Sequence, residues 1–144
     1  MRFFDHVPLN EPRESRELTI DEAEMVAFAK TWDPQPFHVD KELAEKTELG
    51  LIASGLLTVC IALRLSSGLS DEPLAVVAGL GWDEIRFHAP VRAGDRVHVR
   101  SRVISKRRSE SRPGMGIMVS SIELLNQDGA VVLSLKNSAL LRCA

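Results

Sequence analysis

Asp33 and His38 stand five positions apart in the stretch Trp32-Asp33-Pro34-Gln35-Pro36-Phe37-His38-Val39-Asp40. A carboxylate and an imidazole can share one water or one substrate proton, the pairing that general acid–base catalysis requires, if both point at the same bound molecule. The two prolines bear on that condition. Each fixes its own φ at about −65° and disfavours helical backbone in the residue before it, so the stretch reads as a stiff loop that neither prolongs a helix nor joins a central sheet. Spacing alone favours a plainer reading, in which Asp33 caps a turn and His38 is a hydrogen-bonded loop histidine.

A second stretch, Trp82-Asp83-Glu84-Ile85-Arg86-Phe87-His88, repeats the Trp-Asp-x-x-x-Phe-His pattern without internal proline. Its residues suit a strand, where side chains alternate faces, so Asp83 and His88 are expected to diverge and to be structural.

The elements that must position the first pair follow from local signals. Residues 1–15 read as irregular, and Arg16 to Ile20 as a short strand. Asp21 followed by Glu24 is a capping-box start for a helix whose apolar face is Met25, Val26 and Ala29 and which runs into the proline loop. A short polar helix is expected from Lys41 to Lys46. Ser54 would cap a helix from Leu56 to Ser67, closed by Gly68, and apolar almost all round, as in a helix covered on most sides. Beyond Pro73 the chain reads as four strands, Leu74–Ala89, Arg96–Lys106, Gly116–Leu125 and Ala130–Arg142. Their separators are turn residues, with Asn126-Gln127-Asp128-Gly129 a hairpin turn. An early apolar helix followed by four long antiparallel strands predicts an α+β domain, its sheet curled around the helix.

With 144 residues the chain is expected to form one domain over 1–144, and its net charge of −2 offers no bulk attraction to nucleic acid or anionic membrane. The apolar stretch Leu51 to Leu65 is too short for a membrane span. Cys60 reads as a small core residue and Cys143 as frayed. The absence of a disulfide framework and of a secretory start leads to the expectation of a soluble, cytoplasmic protein.

Asp33-Pro34-Gln35-Pro36-Phe37-His38 resembles the Asp-x-x-Pro-x-His motif of the MaoC-like dehydratase family, which includes the (R)-specific enoyl-CoA hydratases. Gly50-Leu51-Ile52-Ala53-Ser54-Gly55-Leu56-Leu57 resembles its oxyanion segment. Ile85-Arg86-Phe87-His88-Ala89-Pro90-Val91-Arg92-Ala93-Gly94-Asp95 resembles its first long strand and turn. The resemblance implies a hot-dog fold and reversible addition of water to a 2-enoyl thioester. In it Asp33 acts as base, His38 holds the water and helps return a proton to C2, and the Gly55 N–H meets the thioester oxyanion. Gln35, Phe37 and Ser54 are then placed beside the substrate. The family usually has asparagine at the position of Gln35 and often histidine at that of Ser54, departures that bear on substrate and rate.

The implied substrate is an acyl-CoA or acyl-carrier-protein thioester, with no metal or redox cofactor, and the implied assembly is a homodimer or higher homo-oligomer. The basic cluster from Arg100 to Arg112 has two readings, a solvated strand end or contact of Arg102 and Arg107 with coenzyme A phosphates. It lacks the interleaved aromatics of a nucleic-acid site. Rival functions are a hot-dog thioesterase, disfavoured because Leu56 to Ser67 holds no Asp or Glu, and a non-catalytic acyl-thioester-binding subunit. A serine nucleophile at Ser54 is disfavoured by the lack of a Gly-x-Ser-x-Gly setting.

Overall fold

In the computed structural model, which describes residues 1–144, Asp21 caps helix α1 (Glu22–Trp32), its carboxylate accepting from the Glu24 N–H at 2.9 Å. Pro34 ends that helix as expected, but the following residues are not a loop. Pro36 opens a short helical turn, α2 (Pro36–Val39), because proline's fixed φ and missing N–H are tolerated at the first helical position. The stiffness inferred for this stretch therefore comes from a proline-initiated turn. Asp40 caps α3 (Lys41–Ala44), shorter than the helix expected to Lys46. Helix α4 (Gly55–Ser66) starts at its Ser54 cap and ends at Ser67.

The short strands β1 (Arg13–Glu14) and β2 (Leu18–Thr19) precede α1. The long strands β3 (Val76–Phe87), β4 (Arg96–Arg108), β5 (Met115–Leu125) and β6 (Val131–Arg142) follow α4. The antiparallel sheet has the order β1-β4-β5-β6-β3, with β2 also paired to β4. The turn at Asn126 to Gly129 joins β5 to β6, with Gly129 at φ 73° and the Asn126 N–H on the Ala130 carbonyl.

Residues alternate in burial along β5. Met118, Ser120, Ile122 and Leu124 face inward and Ile117, Val119, Ser121 and Glu123 outward. The inner face packs on α4 through Val59, Ala62 and Leu65, joined by Met25 of α1 and by Val97, Val99, Leu133 and Leu135 of the sheet. Full burial of Val59 or Leu65 contributes on the order of 1.5–3 kcal/mol each. The sheet thus curls around α4 as expected, but only on one side. Leu56, Cys60 and Arg64, spaced four apart, form an uncovered stripe. This corrects the placement of Cys60 in the core: an apolar sequence does not say which face finds a neighbour.

The N-terminal residues are ordered by contacts rather than irregular. Arg2 bridges to Leu74, and Phe4 packs with Val7, Met118, Ala139 and Leu141 in a second cluster. The Phe4 ring lies where a side chain at Gly116 would be, so glycine is required there by close approach. Lys106 Nζ sits 4.7 Å from the Phe4 ring centroid and donates to the Val7 carbonyl at 2.6 Å. Cys143 is not frayed, since its N–H bonds to the Gly114 carbonyl at 2.9 Å. Asp5 pairs with Arg108 and accepts from the Ala144 N–H, and that backbone bond holds the Asp5 carboxyl below its ordinary range. No helix is long and apolar enough to cross a membrane.

Candidate active site

Asp33 is the C-cap of α1. Its backbone, at φ −154° and ψ 70°, has left the helix as the following proline demands. The turn of α2 brings His38 back beside it, with His38 Nε2 3.4 Å from Asp33 Oδ2. That separation is longer than an ordinary direct N–H···O bond of ~2.7–3.2 Å. The other ring nitrogen is committed, because His38 Nδ1 lies 2.7 Å from the Ile52 carbonyl oxygen. A carbonyl can only accept, so Nδ1 carries the hydrogen and the neutral ring presents Nε2 as an acceptor toward Asp33. The imidazole is 6% exposed, whereas the Asp33 carboxylate keeps a partly open face.

The segment from Ile52 to Leu56 holds both members of the pair. Ile52 supplies the carbonyl for His38, and Ser54 Oγ donates to Asp33 Oδ2 at 2.7 Å while accepting from the Leu56 N–H at 3.3 Å. The backbone is anchored in turn by the Ile52 N–H on the Phe37 carbonyl and the Ala53 N–H on the Val91 carbonyl. Gly55 is the first residue of α4, and its N–H has no protein acceptor. Free N–H groups and the dipole at a helix start favour negative charge. Gly55 does not have positive φ. A Cβ there would come within 2.7 Å of the Phe87 ring, so any larger residue must displace that ring.

Asp33, His38, Ser54 and Gly55 therefore come together. Phe37 is adjacent, its ring centroid 4.3 Å from that of His38, and Gln35 is exposed at the start of the same turn. Ser54 has no exposed surface, which corrects its placement beside the substrate: it reaches the site through Asp33. Arg102 and Arg107 are not brought to the pair. They lie opposite the outward-facing Ser121 and Ile117, although Arg102 also borders a cavity along α4. Ile52 and Phe87 were missed by the sequence reading. A backbone acceptor leaves no trace in residue type, but a glycine opening an apolar helix signals close approach, here by Phe87.

Asp83 and His88 do not diverge as expected. A bulge between Asp83 and Arg86, with Glu84 at φ 52°, inserts one extra residue, so that Asp83 lies opposite Lys136 and Arg86 opposite Ser134. His88 Nε2 lies 2.7 Å from Ser134 Oγ, which puts Asp83 and His88 on the same outer face, while Lys136 opposite Asp83 pairs with Glu84 at 2.8 Å.

A cavity of about 380 Å³ lies farther along α4, between its C-terminal half and the inner face of the sheet. Leu63, Ser66, Leu74, Val103, Ser120 and Ile122 are among its lining residues. A groove of about 350 Å³ separates α1 from α4 on the side of Cys60.

Residues 4–123 match the family model described as MaoC like domain. The MaoC-like dehydratase from Rhodospirillum rubrum is 31% identical, with a TM-score of 0.88 over 100% of this chain and 99% of that one. The 3-hydroxyacyl-thioester dehydratase Z of Mycobacterium tuberculosis is 33% identical over 90 residues, covering 60% of this chain and 60% of that protein. A Mycobacterium tuberculosis protein with a double hot-dog fold is 19% identical, a likeness of fold alone, with a TM-score of 0.82 over 99% of this chain and 44% of that one. Because the family match runs from Phe4 into the third long strand, and the whole chain superimposes on a MaoC-like dehydratase, the chain belongs to the MaoC-like dehydratase family and has the hot-dog fold.

Proposed function

We propose that the protein is a hydratase/dehydratase of acyl thioesters, adding water reversibly to a 2-enoyl-CoA or the corresponding acyl-carrier-protein thioester to give the 3-hydroxyacyl thioester. The observation that carries this reading is the convergence, on one clamped segment, of a carboxylate, an imidazole acceptor and an uncommitted backbone N–H. Asp33 and His38 Nε2 are both acceptors, so a water between them donates one hydrogen to each. Its oxygen forms the bond to C3 as its proton passes to Asp33. The electrons of the C2–C3 double bond move toward the thioester carbonyl, whose oxygen becomes negative and is met by the Gly55 N–H. The proton held between Asp33 and His38 then returns to C2, completing the addition of H and OH. Dehydration runs these steps backwards. No cofactor takes part.

Purified protein is expected to bleach the conjugated-enoyl absorbance of one or more 2-enoyl-CoAs in a chain-length panel. Absence of turnover on every enoyl-CoA and enoyl-carrier-protein substrate would overturn the reading. The cavity along α4 suits the acyl tail. It begins near Leu63, eight residues from Gly55, about 12 Å at ~1.5 Å per helical residue. Ser120→Leu, which fills that space, is expected to lower kcat/KM for long-chain enoyl-CoAs while sparing crotonyl-CoA. Equal loss on both would place the tail elsewhere.

The assembly we propose is a homodimer. Strand β3 pairs only with β6, which leaves its other edge free, and it exposes Val76, Val77, Leu80 and Trp82. Long apolar edges of this kind favour pairing with a second copy, and a two-fold axis across β3 satisfies both free edges at once. Light scattering is expected to give twice 15.9 kDa, about 32 kDa. A mass near 16 kDa at micromolar concentration would exclude the dimer.

A further inference from the structure

We infer that Ser54 is a positioning residue for the reaction: its hydroxyl supplies the hydrogen bond that holds the Asp33 carboxylate in the reactive orientation. The inference rests on the hydratase reading above and extends it to a residue outside the reacting groups.

The direction of the Ser54–Asp33 bond is fixed by chemistry. The Leu56 N–H donates to Ser54 Oγ, so the serine hydrogen cannot point there, and the carboxylate can only accept. The chain of donors thus runs from the start of α4 through Ser54 Oγ to Asp33 Oδ2. A hydroxyl already accepting from an N–H is a stronger donor, because linked hydrogen bonds polarise one another.

Asp33 has no substitute for this bond. An aspartate side chain ordinarily finds a backbone N–H one or two residues ahead of it. Here the next residue is Pro34, which has none, and the Gln35 N–H donates to the Asp33 main-chain carbonyl at 2.8 Å. The Gln35 side chain is exposed and makes no hydrogen bond to the carboxylate. His38 presents Nε2 as an acceptor in its neutral form, so it cannot hold the carboxylate without a proton or water between them. The Asp33 side chain has an open face toward which it can rotate. Ser54, with 0% exposure and a backbone carbonyl that accepts from the Leu57 and Thr58 N–H groups, is by contrast immobile. It therefore fixes Oδ2 and leaves Oδ1 for the water.

The obvious confounder is that Ser54 also caps α4. Two substitutions separate the roles, because glycine is nearly as good an N-cap as serine while alanine is much poorer. Both lack the hydroxyl. If Ser54 positions Asp33, Ser54→Gly and Ser54→Ala lose kcat equally, by ~10–100-fold, the rate equivalent of a hydrogen bond to a charged group. KM stays within about threefold for both, since Ser54 does not touch substrate. Thermal stability falls more in Ser54→Ala than in Ser54→Gly. Ser54→Thr, which keeps hydroxyl and cap, restores kcat if the buried site admits its methyl group; the glycine–alanine pair decides the matter if it does not. A Ser54→Gly protein with near-wild-type kcat beside an impaired Ser54→Ala would overturn the inference and leave a cap only.

A crystal structure of Ser54→Gly supplies a readout that needs no turnover, and it separates failure of this inference from failure of the hydratase reading. The Asp33 carboxylate is expected to turn toward solvent while His38 Nδ1 stays on the Ile52 carbonyl. A carboxylate unmoved in that variant would equally overturn the role. Absence of enoyl-thioester turnover in the wild-type protein would count against the hydratase reading alone.

Discussion

Asp33→Asn and His38→Ala are each expected to lower hydratase turnover by ~10²–10⁴, the range for loss of a positioned general acid or base. Asparagine keeps the shape of aspartate and can still accept from Ser54, so the fold around α1 and α4 is preserved while the base is lost. His38→Ala removes the acceptor that shares the water and frees the Ile52 carbonyl, at some cost in stability as well. Because the two groups hold one water, the double variant is expected to be little worse than either single one. His88→Ala is the internal control. It lies on the outer face against Ser134, and its loss is expected to cost little activity. Steady-state kinetics on one enoyl-CoA, with circular dichroism to establish folding, checks all four. A folded His88→Ala protein as impaired as His38→Ala would assign the chemistry to the wrong pair.

The second large effect is expected at Gly55. Gly55→Pro removes the N–H proposed for the oxyanion at a position where proline is compatible with the backbone. It is the first helical residue, and Ser54 before it already has the extended conformation, φ −56° and ψ 137°, that proline demands. Loss of one oxyanion donor typically costs ~10²–10³ in rate. The comparison must be made with Gly55→Ala rather than with the wild type. Either substitution adds a Cβ that meets the Phe87 ring at 2.7 Å, and Phe87, 56% exposed, has room to swing aside. Both variants carry that steric load, and alanine alone retains the N–H. The ratio of their kcat values therefore measures the donor. A ratio near one, with both proteins folded, would remove Gly55 from the mechanism.

Local chemistry made much of this fold legible. The caps Asp21 and Ser54, the hairpin at Asn126 to Gly129 and the four long strands depend on residues near one another in the chain, and strand ends differ by only one or two positions. What was missed depends on partners far along the chain or on a local exception. Cys60 lies on an apolar helix, but nothing in its sequence tells that the sheet covers the opposite side. Alternation along β3 fails at Glu84, a non-glycine residue at positive φ that no pattern of residue types announces. The proline turn of α2 was legible in principle, since Pro36 suits a first helical position as well as a loop. In the site, residue types pointed to Asp33 and His38. The carbonyl that fixes the imidazole and the ring that faces Gly55 come from Ile52 and Phe87, which only the folded chain brings near.

The docking of Phe4 sets an order of events for the growing polypeptide. Residues 2–7 leave the ribosome well before their partners, Leu74, Lys106, Arg108, Gly116 and Ala144. Contacts that span a hundred residues form late, after shorter-range hairpins have closed their loops. Residues 2–7 thus wait for strands made after them, and until β5 and β6 have paired, Phe4 has no surface to cover. Between that pairing and the docking of Phe4, the apolar inner face around Met118 and Leu141 lies open to solvent and to other chains. A segment made before its partners therefore seals a face that forms only after it.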